Sequence, residues 1–115
     1  MDDSEIYDPA TNTWTGTDRL IDRRRLHTAT LLRDGRVLVS GGWDSGYPYV
    51  LTSTEIYDPA TGNWNSTGML NYARYSHAAT LLQDGRVLVM GGVGADEETP
   101  INETCLLYTS PSPRD

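Results

Sequence analysis

Lysine and phenylalanine are absent from these 115 residues, and cysteine occurs once. The single Cys105 excludes an internal disulfide. No apolar run approaches the about 18 residues that a membrane-spanning helix needs. The start, Met1-Asp2-Asp3-Ser4, has neither the basic flank nor the apolar stretch of a secretory signal. Positive charge is also scarce: 9 basic residues face 16 acids, for a formal net charge of −7. Phosphate neutralisation needs a basic face, so nucleic acid is not an expected partner. The one dense basic run, Arg23-Arg24-Arg25, follows Asp18 and Asp22 and reads as a solvated loop with local ion pairs. Sustained helical periodicity is missing, as are a phosphate loop, a Ser-His-Asp set and a Cys/His cluster.

What the chain does contain is a repeat. The run from Ser4 to Trp14 returns from Thr54 to Trp64, and the run from His27 to Gly42 returns from His77 to Gly92, both at one offset. Aligned without gaps, 4–53 and 54–103 share about 24 identities in 50 positions, the spacing of a stacked supersecondary unit.

Each unit reads as four short strands. His27 to Leu32 forms the first and Arg36 to Ser40 the second, joined at Asp34-Gly35, where a type I′ turn is expected. The unbroken Val37-Leu38-Val39 core suits a strand covered on both faces. Gly41-Gly42 ends it and permits close approach of a neighbour. Thr52 to Tyr57 is the third strand, and Asp58-Pro59-Ala60-Thr61 fits a type I turn. Asn12 in one copy stands where Gly62 stands in the other. Both residue types tolerate the left-handed region, so this position is expected to take positive φ. A short fourth strand centres on Trp64.

The Gly-Gly pair, the Tyr-Asp-Pro turn, the outer-strand Trp and the His-x-Ala-Thr-Leu-Leu-x-Asp-Gly-Arg-Val-Leu-Val run together resemble the kelch-repeat β-propellers, in the bacterial style of the galactose-oxidase-like class. The resemblance covers residues 4 to about 104 and implies an all-β fold of stacked blades, six or seven to a ring. The chain then supplies about two four-stranded blade-equivalents of an incomplete ring: a half blade at 4–14, a full blade at 24–66 and a half blade at 74–104. Repeat units do not bury their faces alone, so the isolated piece is expected to be marginally stable. The register breaks at 105, where a glutamate is due. The string 105–115 looks like the translation of a transposase sequencing adapter and is expected to be a non-native tail.

Candidate chemistry is thin. His27 and His77 hold the same place in successive units, which favours a structural role over metal binding, and no cofactor or catalytic residue is assigned. Arg24 and Arg74, three residues earlier, are expected to make charge-assisted bonds to acids across blades. Asp96-Glu97-Glu98 reads as a solvated charge run. Because strands alternate in direction, the loop from Trp43 to Leu51 shares a propeller face with the connections between blades. The two copies agree at their turns and disagree in these loops, and variable loops on a rigid scaffold are where recognition concentrates. Trp43, Asp44, Tyr47 and Tyr49, with Arg25 and Tyr75, are therefore the candidate ligand-binding residues.

The expected function is a non-catalytic scaffold for a protein or carbohydrate ligand. The alternative is the propeller part of a galactose-oxidase-like copper oxidase or a sugar epimerase. The compartment stays open, with an extracellular or envelope setting favoured.

Overall fold

A computed structural model of the chain describes residues 3–46 and 49–95 and, as backbone, 104–107. It is all-β, and every described strand pairing is antiparallel. Strands β1 (Glu5–Asp8) and β2 (Thr13–Gly16) form a two-stranded sheet. Strands β3 (Thr28–Leu31), β4 (Val37–Ser40), β5 (Thr54–Asp58) and β6 (Asn63–Ser66) form a complete four-stranded blade in chain order. Strands β7 (Ala78–Leu81), β8 (Val87–Met90) and β9 (Thr104–Leu107) form a third sheet.

Burial follows from the residue pattern. In β8, Val87 and Val89 are fully buried and join Leu32, Leu38, Ile56 and Leu70 in one apolar cluster between the second and third sheets. Side chains alternate along a strand, so Leu38 turns toward the third sheet while Val37 turns the other way, onto Ser4, Ile6 and Thr17 of the first. That two-sided covering is why β4 reads as a continuous apolar run. Each such side chain contributes about 2 kcal/mol on burial. The half blade of β1 and β2 has lost this protection: Ile6, Tyr7 and Trp14 are all exposed, whereas Ile56 is buried.

Two expectations need correction. The turn at Asp34-Gly35 is not type I′, because only Gly35 has positive φ (92°). Gly35 N–H donates to Leu32 O (3.1 Å) and Leu32 N–H to Arg36 O (2.8 Å), which makes a type I turn closed by a left-handed glycine. The third strand starts at Thr54, two residues late, because Gly41 O is taken by the Arg24 guanidinium and Thr52 O accepts from Leu70 N–H instead of joining the ladder. Residues 104–107 extend the third sheet. An open edge accepts any extended backbone, and β9 pairs with β8 in the register that β5 keeps with β4, so Val89 faces Cys105 where Val39 faces Glu55.

The Asp58 turn forms as expected, with Thr61 N–H donating to Asp58 O (3.2 Å). Asn12 (φ 58°) and Gly62 (φ 77°) share the left-handed conformation.

Gly41 marks where neighbouring blades touch. A Cβ there would lie 2.6 Å from Arg74 O and 2.8 Å from His77 Cε1, with φ at 63°. At Gly62 the φ is also positive but the space is open. Gly41→Ala should therefore cost more than about 2 kcal/mol, and Gly62→Ala only about 1 kcal/mol, the left-handed penalty alone. Urea unfolding of the two variants side by side checks this; equal losses would mean that the blades are not apposed at Gly41.

Candidate functional site

The loop after β4 is shaped by backbone bonds to the connection that precedes β3. Arg25 N–H donates to Trp43 O (3.0 Å), and Trp43 N–H returns the bond to Arg25 O (2.8 Å). Trp43 also bridges to Val50, and inside that bridge Asp44 N–H donates to Tyr49 O (2.6 Å) and Tyr49 N–H to Gly46 O (2.8 Å). The loop is thus a small hairpin with Trp43 held from both sides. The Arg25 guanidinium lies over the Trp43 ring, 4.4 Å from its centroid, a cation–π contact worth about 0.5–1 kcal/mol at an exposed site.

Tyr49 is 47% exposed and sits at φ 67°, a backbone state disfavoured for a bulky residue. Tyr75 takes the Arg25 position of the next blade, exchanging backbone bonds with Val93 (3.0 and 2.9 Å). The two segments are joined one residue on, where Ser76 N–H donates to Leu26 O (2.8 Å). Arg25, Trp43, Asp44 and Tyr49 therefore belong to one loop cluster, and Tyr75 lies on the adjoining connection. Tyr47 lies outside the described residues, as do Asp96, Glu97 and Glu98.

Beneath this surface lies a polar network. The Arg24 side chain is fully buried. It donates to Glu55 Oε2 (2.7 Å), Gly41 O (2.7 Å), Ser53 O (3.0 Å) and Ser53 Oγ (2.9 Å). Glu55 also accepts from the backbone N–H of Ile21 (2.6 Å) and Asp22 (3.0 Å). The sequence marks Arg24 and Glu55 as recurring residues, but the pair forms within a blade, not across blades. It ties the incoming connection to β5 and so sets where Arg25 begins.

Contact across blades falls to histidine. His77 Nε2 lies 3.0 Å from Thr28 Oγ1 and 3.4 Å from Ser40 Oγ of the preceding blade. Burial, then the nearby Arg74 charge, lower its pKa to about 4, against a smaller raising effect from Ser40. Burial and Arg24 lower His27 as well.

Two cavities of about 240 and 200 Å³ lie away from the Trp43 loop, one beside Arg36 and Asn65 and one between Ile6 and Trp64. In the loop itself Trp43 and Asp44 are half-buried and Tyr49 is exposed. Among the described residues, no three His, Cys, Asp or Glu cluster as a metal site would require, and no helix is long and apolar enough to cross a membrane.

Residues 24–67 match a family model described as Kelch motif. No curated protein matches the chain.

Two outcomes follow. Glu55→Ala removes the carboxylate 2.7 Å from the buried Arg24 charge, leaving it the part-exposed Asp22 at 3.6 Å, and should cost about 3 kcal/mol in urea unfolding; a loss below about 1 kcal/mol would show the network to be dispensable. The histidines set an acid limb. The folded-state value of His77 lies below the ordinary 6.5 of an unfolded chain, so the unfolded chain takes up the proton first. Stability should be full above pH 6.5 and fall as pH drops toward 4, and His77→Gln should flatten that fall, as read from urea midpoints across the range.

Proposed function

We propose, from the premise that residues 24–67 are a kelch motif in an all-β set of propeller blades, that this chain is a binding scaffold whose ligand docks on the face built by Trp43, Asp44, Tyr49 and Arg25. The observation that carries this reading is the double tether of Trp43: an indole fixed through backbone bridges at Arg25 and Val50, in the loop where the two repeats share no residues. A rigid aromatic loses little entropy on binding, which is how efficient recognition surfaces are made. Kelch repeats commonly mediate interactions, and here the turns that match between repeats serve the scaffold while the divergent loop is free to specify a ligand.

The ligand class is a protein or a carbohydrate. A ring plane beside an acid suits sugar stacking with a hydroxyl bonded to Asp44, and the half-buried Trp43 with the exposed Tyr49 suits an extended partner. The described site brings no general acid–base pair into facing geometry, and the reading assigns no catalytic step.

The test is a glycan array with calorimetric follow-up of neutral oligosaccharides, run beside surface-immobilised candidate protein partners. Trp43→Ala and Tyr49→Ala should each weaken whichever ligand binds by tenfold or more, with the far-ultraviolet circular dichroism unchanged. Binding that survives both substitutions would remove this face from the function.

A further inference from the structure

The run Arg23-Arg24-Arg25 is divided by the fold. Arg24 turns inward and meets Glu55 at 2.7 Å, so its charge is balanced inside the blade. Arg23 and Arg25 are exposed on either side of it, as alternation along an extended segment requires. Among the described residues, no carboxylate lies within ion-pair distance of either.

Arg25 is the more firmly held of the two. Its backbone exchanges two bonds with Trp43 (3.0 and 2.8 Å), and its guanidinium rests 4.4 Å from the Trp43 ring centroid. A stacked guanidinium gives its flat side to the ring and keeps the N–H donors of its edge. Asp44 stands one residue beyond Trp43, and no described cation pairs with it. Tyr49, 47% exposed, is tied to Asp44 by the 2.6 Å backbone bond across the hairpin. A donor fork, an acceptor and a ring therefore meet in one pair of loops. At the same places in the next repeat, Ala73, Tyr75, Val93 and Gly94 replace Arg23, Arg25, Trp43 and Asp44.

Granted that this face is the binding surface, we propose that its ligand is an acidic carbohydrate. A hexuronate unit places its carboxylate on the edge of the Arg25 guanidinium, with Arg23 as a second positive charge, and donates a ring hydroxyl to Asp44.

The chemistry of the three groups selects this ligand. A planar carboxylate matches the planar fork of arginine, and such charge-assisted bonds are about twice as strong as those a neutral sugar offers. An acidic peptide supplies the carboxylate too, but its further carboxylates meet Asp44 with like charge. A uronate brings hydroxyls, which a carboxylate accepts, and a C–H side that packs on Tyr49. The chain as a whole carries −7 and repels an acidic ligand at a distance. Screening over about 8 Å at physiological salt leaves the two local arginines to decide.

The test is calorimetry of the 115-residue chain with oligogalacturonate and oligomannuronate, each against its methyl ester. The ester keeps the ring and its hydroxyls and loses the anion. One of the two acids should bind about tenfold more tightly than its ester. Arg25→Gln should bring acid and ester to equal affinity, and Arg23→Gln should narrow the gap by about threefold. Asp44→Asn should weaken acid and ester alike. Both arginines are exposed, so the far-ultraviolet circular dichroism should not change.

An ester that binds as tightly as its acid, an acid preference that persists in Arg25→Gln, tighter acid binding in Asp44→Asn, or no binding of either acid would overturn the proposal. The docking face is judged separately. Acid and ester binding equally, or oligoglutamate binding in place of both, with the affinity lost in Trp43→Ala, would keep the face and remove the uronate.

Discussion

A sheet with apolar residues on both faces has to be covered twice, and everything else in this structure depends on that constraint. Val87 and Val89 are sealed on one side by the complete blade, and Leu38 is sealed by them in return. The apolar stripe of β4 and β8 carries no inside or outside of its own; the neighbour defines it. Stability is therefore a property of stacking rather than of any one sheet, as in other repeat architectures.

Close stacking needs small residues and neutral partners at the points of contact. Gly41 removes the one side chain that would hold the blades apart, and the histidine that fills the gap is kept uncharged by its burial and by Arg74. The charged residues are handled differently. Arg24 and Glu55 are drawn inside a blade, where six hydrogen bonds, their mutual one included, replace the water that both have lost. Packing and neutral hydrogen bonds surround His77 between the blades, and the internal pair aligns the connection that feeds the recognition loop.

Much of this is legible in the sequence. The offset of the two repeats dictates the strand order, and the shared tolerance of Asn12 and Gly62 points to the left-handed backbone that both adopt. What escapes a sequence reading depends on distance. Asp34-Gly35 carries the letters of one turn and adopts another, because loop length is set by which residues close the ladder, here Leu32 and Arg36. The partner of Arg24 lies 31 residues away, and no local pattern chooses Glu55 over the other recurring acids. The strand at 104–107 is invisible in the repeat because its residue types break the pattern, while strand pairing is made by the backbone. At the candidate site, divergence between the copies locates the loop, but only the fold shows Arg25 lying over Trp43.

That stacking has a geometric consequence for recognition. An indole offers two planar sides, and here a guanidinium occupies one of them. A ligand ring cannot take the side that Arg25 covers, and a positive charge stands behind the plane that it would meet. The electron density of the indole is drawn toward that charge, which makes it a poorer host for a second cation than a bare tryptophan and a better one for neutral or electron-rich surfaces.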